Sequence, residues 1–140
     1  MKKKLYLIGS LRNTDLPSIG RHLRASFDVF DDWYAAGPEA DDKWMLYEKL
    51  RERTYQQALE GYAADHVFSY DHEHLDEAEI VVLVTPAGKS SHLELGYALG
   101  QGKVGIIYVT KEPERWDVMV KFATHVVFSL DELDRVLQTI

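Results

Sequence analysis

The feature that most constrains the fold is an uninterrupted apolar run, Ile80 to Val84, followed by a loop and a helical segment. A run of β-branched residues without alternation is typical of a strand buried on both faces. Pro86 and Gly88 mark the loop, and the residues from Ser90 to Leu99 predict a helix. A buried strand that feeds a helix indicates an α/β sheet, in which ligands bind beyond the carboxyl ends of the strands.

Glu94 is the residue of this helix best suited to a chemical role, and its spacing leaves two roles open. Ser90 or Ser91 can cap the helix, which leaves Glu94 in the first turn. There the positive end of the helix dipole would keep the carboxylate ionised and ready as a nucleophile. Ser91-His92-Leu93-Glu94 also fits a capping box, in which Glu94 only bonds back to the N–H of the cap residue.

The rest of the chain alternates between strand-like and helix-like segments. Five strands alternating with helices predict a parallel sheet with right-handed crossovers in one three-layer α/β domain over 1–140. The predicted strands are 3–8, 27–30, 80–84, 103–109 and 124–128, and a short extended piece covers 67–70. The predicted helices are about 16–26, 42–61 capped by Asp42, 71–78 capped by Asp71, the helix after 89, a short one opening at 112–115, and 131–139.

Two loops near the predicted strand ends are candidates for ligand binding. Gly9-Ser10-Leu11-Arg12 joins the first strand to a helix, so loop amides and a helix N-terminus can meet an anion there. The loop has no Walker or dinucleotide glycine pattern, and a plain turn is the alternative. In the loop 31–42, Trp33 is either a packed anchor or a wall over a flat aromatic ligand.

Composition excludes several classes of protein. The 140-residue chain has no cysteine, which excludes disulfides, thiolate zinc sites and a cysteine nucleophile, and suits a reducing, cytoplasmic location. A net charge of −7 argues against binding of polymeric nucleic acid. No run reaches transmembrane length, so we expect no membrane partner. His72 and His74 lack a third ligand at a sensible spacing, so no metal is expected.

Three blocks in order resemble one family, the nucleoside 2-deoxyribosyltransferases and related nucleotide N-glycosidases. The segment from Leu5 to Arg12 looks like the family's first strand and GS-x-R loop. Asp71, followed by the residues from Leu75 to Val82, looks like its D-x-x-x-ψ-x-x-A-D/E-hydrophobic segment, where ψ is aliphatic. The segment from Ser91 to Lys103 is similar to its E-L-G-x-A…G-K block. The resemblance covers most of the chain.

This resemblance implies a flavodoxin-like sheet of order 2-1-3-4-5 and cleavage of the N-glycosidic bond of a deoxyribonucleoside or its monophosphate, without a cofactor. Glu94 matches the family nucleophile, which attacks the anomeric carbon and expels the base. Tyr6 matches a tyrosine that holds and activates that glutamate. Asp71 matches an aspartate that assists departure of the base. Family members build each site with help from a neighbouring subunit, so a homodimer or larger assembly is implied.

The resemblance leaves the substrate and the acceptor open. Gly88 stands where some transferases carry another aspartate, so transfer to a base and hydrolysis are both possible. The loop of Gly9, Ser10 and Arg12 looks more like the nucleotide-cleaving branch, where it holds a 5′-phosphate together with a serine near the nucleophile. Ser90 and Ser91 are both candidates for that serine.

Two other classes compete with the enzyme. A non-catalytic nucleotide-sensing module could use the same fold, although it would not need Tyr6, Asp71 and Glu94 together. A flavodoxin-like FMN carrier is a third possibility, but the first loop lacks the run of hydroxyl residues usual for such a phosphate site. Fold alone does not decide among them.

Overall fold

The computed structural model describes residues 1–140 and contains one five-stranded sheet. All neighbouring strands are parallel and their order is β2-β1-β3-β4-β5. The predicted fold class, a flavodoxin-like α/β sandwich with sheet order 2-1-3-4-5, is therefore confirmed. The strands are β1 Lys4–Ile8, β2 Asp28–Phe30, β3 Ile80–Val84, β4 Val104–Tyr108 and β5 His125–Val127. The helices are α1 Leu16–Leu23, α2 Ala40–Leu50, α3 Tyr55–Leu59, α4 Tyr62–Glu77, α5 Lys89–Gly100 and α6 Leu130–Gln138.

The sheet has a hydrophobic core on each face because its central strands send side chains to both sides. On β1, Leu5 and Leu7 pack with α1 and α6, whereas Tyr6 and Ile8 pack with α4 and α5. Every residue of β3 is buried, as expected for a strand covered on both faces. No helix is both long enough and apolar enough to cross a membrane.

Helix α4 corrects two of the sequence predictions. The segment 67–70, predicted as extended, lies inside this continuous helix, and Asp71 is an internal helical residue instead of a cap. Val67 and Phe68 are exposed, so they do not supply the buried face that a strand would need. Phe68 stacks on His72, one turn along the helix, with ring centroids 5.2 Å apart. Helical neighbours therefore overrode the local preference for a strand.

The predicted helix 42–61 is also wrong, because it is two helices with a break between them. The chain turns after α2, where Glu52 has a φ of 59°. Thr54 then starts α3 with a capping box: its side chain accepts from Gln57 N–H and its own N–H donates to the Gln57 side chain. The capping box satisfies the first amide groups of α3 and explains why a second helix begins here instead of one helix continuing to residue 61.

Two shorter predictions also fail. The loop 31–42 contains a 3₁₀ turn, Asp32–Ala36, and α2 begins within its last residues. The segment 112–115 does not open a helix; a 3₁₀ turn forms later, at Val118–Phe122, where the Asp117 carboxylate accepts from Met119 N–H. The second turn starts at a side-chain cap that the apolar pattern did not mark.

Candidate active site

The three residues predicted to be catalytic lie on one face of the sheet. Tyr6 projects from β1 into the core that α4 and α5 cover, and it is 1% exposed. Asp71 comes from α4 and Glu94 from α5, and each is partly buried. The two carboxyl groups and the Tyr6 hydroxyl interact electrostatically. Three separate elements therefore bring these side chains to one place.

Glu94 has no capping role. Helix α5 begins at Lys89 with Gly88 as its N-cap residue, and no side chain caps its first amides. The predicted caps, Ser90 and Ser91, and the capping box from Ser91 to Glu94 are therefore wrong. Because α5 starts earlier than the serines suggested, Glu94 lies in the second turn, with its side chain directed at the core side of the helix. The carboxylate is free for another function.

Burial, more than the helix dipole, sets the charge of Glu94. Loss of solvent raises the pKa of the Glu94 carboxyl to about 7, hydrogen bonding with Tyr6 lowers it, and the charge of Asp71 raises it further. The expectation that the helix N-terminus keeps Glu94 fully ionised is wrong, since the dipole acts mainly on the first turn. Near neutral pH, Glu94 exchanges readily between its charged and neutral forms.

The two neighbours of Glu94 are also shifted toward their protonated forms. Burial raises the pKa of the Tyr6 hydroxyl, and the nearby Glu94 carboxylate raises it again, so Tyr6 remains a hydrogen-bond donor. Burial raises the pKa of Asp71, while the charge of His74 opposes that shift. Neighbouring acid groups whose pKa values are raised by burial are typical of functional sites.

The first loop is tied to the start of α5 by a buried serine. Ser91 is 4% exposed, and its hydroxyl donates to the Gly9 carbonyl at 3.3 Å. Gly9 packs so closely on Leu16 that an added Cβ would lie 2.9 Å from a Leu16 methyl carbon. Ser90 is exposed and its side chain makes no hydrogen bond, so of the two serines it is the one with a free hydroxyl.

The other predicted phosphate-binding residues surround this junction. The Ser10 hydroxyl accepts from Arg12 N–H at 3.1 Å, which tightens the loop. The Arg12 guanidinium lies 3.5 Å from the carboxylate of Asp42 on α2, and both side chains are largely exposed. A Cβ at Gly88 would meet nothing within 4 Å, so the space beside the N-terminus of α5 is open.

Trp33 is anchored to the sheet. Its indole N–H donates to the Leu7 carbonyl at 2.8 Å, and its ring packs against both hydrophobic cores. Strand β2 pairs with β1 only as far as Tyr6, so the indole takes a backbone acceptor beyond the end of that ladder. The packed-anchor interpretation describes this contact; a role for Trp33 in substrate binding stays a prediction.

Sequence reasoning missed an aromatic cluster beside Asp71. The His74 ring stacks on Phe30 with centroids 4.0 Å apart, and Phe30 in turn contacts the Tyr6 ring at 5.0 Å. Tyr70 lies against both Phe30 and His74. No local signal joins Phe30 to α4, because they are about forty residues apart in the chain.

Two grooves of the single chain lie away from the catalytic candidates. A groove of about 590 Å³ between α1 and the segment 31–35 contains Arg21, Arg24 and Asp31, and no catalytic candidate. A second groove of about 280 Å³ reaches Phe30 and His74 but not Tyr6, Asp71 or Glu94.

No protein-family model matches the chain, and no curated protein matches it in sequence.

Proposed function

We propose that this protein cleaves the N-glycosidic bond of a nucleoside or nucleoside 5′-monophosphate, with Glu94 as nucleophile and water or another base as acceptor. The observation that carries the proposal is the convergence of Tyr6, Asp71 and Glu94 from β1, α4 and α5. The resemblance of the surrounding sequence to nucleoside 2-deoxyribosyltransferases and nucleotide N-glycosidases supports the same reaction.

In the first step, a carboxylate oxygen of Glu94 forms a bond to the anomeric carbon while the bond from that carbon to the base nitrogen breaks. The base leaves with the electron pair and takes a proton, for which the protonated Asp71 carboxyl is the donor. In the second step, water or an acceptor base attacks the same carbon, loses a proton, and releases the Glu94 carboxylate. Two displacements retain the configuration at the anomeric carbon.

The electrostatics suit this division of labour. Because the pKa of Glu94 is about 7, a usable fraction is ionised near neutral pH, and the ionised form is poorly solvated and reactive. Tyr6 faces that carboxylate and remains protonated, so its hydroxyl can donate to and orient the attacking oxygen. The raised pKa of Asp71 favours its acid form, which departure of the base requires.

A 5′-phosphate on the substrate would be held at the first loop. Arg12 supplies a guanidinium, Ser90 a free hydroxyl, and the start of α5 a set of amides. Gly9 and Ser91 fix this loop against α5, so the phosphate site and Glu94 keep a constant relation. Gly88 leaves open space for the sugar between them.

A second copy of this chain would cover the carboxylate site. The outer faces of α4 and α5 expose several large apolar side chains next to the carboxylates, and a symmetric dimer would bury them. We therefore include a homodimer or larger assembly in the proposal, and a cytoplasmic location with it. These side chains are Val67, Phe68 and Leu93. Light scattering that finds only monomer in an active micromolar sample would contradict the assembly.

The deciding experiment measures release of free base. The protein is incubated with a panel of ribo- and deoxyribonucleosides and their 5′-monophosphates, and products are separated by chromatography. A matching 2-fluoro-2-deoxy substrate should then leave a sugar adduct on Glu94, which intact-mass and peptide analysis would locate. Binding of a nucleotide without base release would instead indicate a sensing module, and absence of both would contradict the proposal.

A further inference from the structure

A hydrogen-bonded cluster outside the catalytic candidates joins α4 to α5. The Tyr97 hydroxyl on α5 donates to the Asp76 carboxylate on α4 at 2.8 Å. Gln101, at the end of α5, donates both to Asp76 at 3.2 Å and to the Tyr97 oxygen at 3.1 Å. His72 Nε2 lies 2.8 Å from the Tyr97 oxygen and 3.3 Å from Asp76. We call these four residues the interhelical cluster.

The hydrogen-bond directions within the interhelical cluster are mutually determined. Tyr97 has one hydroxyl proton, which it gives to Asp76, so its oxygen must accept from Gln101 and His72. His72 therefore carries a proton on Nε2. Hydrogen bonds from Tyr97 and Gln101 lower the pKa of Asp76, which keeps it a carboxylate acceptor. The His72 and Tyr97 rings also meet edge to face, with centroids 5.2 Å apart.

Lys103 secures the same end of α4 from a third direction. Its ammonium group donates to the carbonyl oxygens of Leu75 and Asp76, at 2.6 Å and 2.7 Å. Carbonyls in the last turn of a helix have no partner within the helix, so a cation stabilises them. Lys103 precedes β4 and is thereby tied to the sheet. The end of α4 is thus held by α5 and by the sheet.

The interhelical cluster lies next to the two catalytic carboxylates. His72 directly follows Asp71, and Tyr97 lies one helical turn after Glu94. On the core side, Leu75, Leu95 and Ala98 make the apolar contact between the two helices and the sheet. These apolar contacts hold the two helices on the sheet, and the polar cluster adds directional contacts that depend on how far one helix slides or turns relative to the other.

We infer that Tyr97, with His72, Asp76 and Gln101, acts as a positioning group that sets the distance between the Asp71 and Glu94 carboxyl groups. The inference rests on the proposed function only for its catalytic consequence, since the distance is a property of the free protein. None of the four residues need touch the substrate. Their effect passes through α4 and α5 to the reacting groups.

Removal of the Tyr97 hydroxyl tests this inference. In Tyr97→Phe the ring stays but the three hydrogen bonds through the hydroxyl are lost, so the helices can shift and admit water to Glu94. We expect the pKa of Glu94 to fall toward that of an ordinary glutamate, because entry of water relieves the burial that raises it most and a greater distance from Asp71 weakens the second raising effect; Tyr6 from β1 and Asp71 from α4 are the titratable groups that face it. NMR titration of ¹³C-labelled glutamate carboxyls measures this shift without any substrate.

The catalytic readout is separate. If a nucleoside or nucleotide is cleaved, Tyr97→Phe should lower kcat about tenfold while KM changes less than about twofold, because positioning acts on the reacting geometry. Tyr62→Phe is the matched control, since Tyr62 lies on α4, is 94% exposed and makes no side-chain hydrogen bond. Asp76→Ala should lower the pKa of Glu94 as Tyr97→Phe does. Asp76→Asn keeps an acceptor oxygen, so its Glu94 pKa should lie between that of Asp76→Ala and that of the wild-type protein.

The outcomes separate the two hypotheses. A lowered Glu94 pKa in Tyr97→Phe and Asp76→Ala, with Tyr62→Phe unchanged, supports the positioning role even if no substrate is found. An unchanged Glu94 titration in a folded Tyr97→Phe protein overturns that role, whatever the enzyme assay gives. Failure of the wild-type protein to release any base contradicts the proposed function alone.

Discussion

Two helices bring a glutamate into the protein interior, and the surroundings of these two residues are opposite. Glu48 on α2 is 4% exposed, and its carboxylate oxygens lie 3.3 Å from Arg51 Nη1 and 3.0 Å from Arg53 Nε. Glu94 on α5 faces the Tyr6 hydroxyl and a second carboxyl group, that of Asp71. One glutamate is neutralised by two cations, and the other has none.

The difference shows how a fold separates a structural charge from a reactive one. The guanidinium groups of Arg51 and Arg53 compensate the burial of Glu48, so that residue can join α2 to the turn before α3. No cation compensates the burial of Glu94; the Tyr6 hydroxyl offsets only part of the cost, and the rest appears as a raised pKa. A protein keeps such a destabilised group where chemistry uses it. The contrast supports the catalytic role proposed for Glu94 and a structural role for Glu48.

Removal of the Glu94 charge should have the largest effect. Glu94→Gln keeps the size of the side chain but removes the nucleophile, so base release should fall by at least about a thousandfold. Chromatographic assays of the purified variant measure this loss. Glu114→Gln is the control, since Glu114 is exposed and has no ion pair. A Glu94→Gln protein with normal turnover would contradict the proposal that Glu94 is the nucleophile.

The matching substitution at Glu48 should affect the fold instead of the reaction. Glu48→Gln leaves two arginines without their carboxylate; because both arginines are partly exposed, the free energy of unfolding should fall by roughly 2 kcal/mol, less than for a fully buried pair. Urea unfolding measures the change, with the exposed Glu60→Gln as control. Turnover per folded molecule should stay the same. A variant as stable as the wild-type protein would show that Arg51 and Arg53 do not compensate the buried charge of Glu48.

The pH dependence of stability should distinguish the two glutamates further. In the folded protein Glu94 has a pKa of about 7, above its ordinary value in the unfolded chain. The folded state therefore holds this proton more tightly, and stability falls as pH rises from the ordinary carboxyl range through 7. Glu94→Gln cannot lose that proton. At pH 8 it should be more stable than wild type by about 2 kcal/mol, after allowance for partial exposure.

Thermal unfolding of wild type and Glu94→Gln at pH 5 and pH 8 measures this difference. At pH 5 most of the wild-type Glu94 is protonated, so the two proteins should unfold at similar temperatures. A variant that is less stable than wild type at pH 8 would mean that the charged form of Glu94 is well solvated, and the comparison with Glu48 would fail.

An exposed ion pair should give the smallest effect and calibrate the others. Asp42 lies 3.5 Å from Arg12, with both side chains largely exposed, so Asp42→Asn should change the free energy of unfolding by at most about 1 kcal/mol. It also frees Arg12 for a phosphate. The KM for a 5′-monophosphate should therefore fall while that for the nucleoside stays constant. Equal KM changes for both substrates would place the phosphate away from Arg12.

Parts of this molecule could be read from short segments of the chain. The apolar run of β3 required a strand buried on both faces, and alternating strands and helices then required a parallel sheet. Glu94 was a candidate because it follows the end of a buried strand, whereas Tyr6 and Asp71 became catalytic candidates only through the family resemblance. Periodicity succeeds here because burial on one or two faces acts on each residue locally.

Tertiary structure decided what those candidates can do. Whether Asp71 was a cap or an internal helical residue depended on contacts along α4, and the start of α5 at Lys89 left Glu94 without a capping role. The raised pKa of Glu94 and the cluster around Tyr97 arise from groups on different elements. Distance, exposure to solvent and the sign of a neighbouring charge are set only when the helices pack on the sheet, and these quantities control the chemistry of a carboxylate.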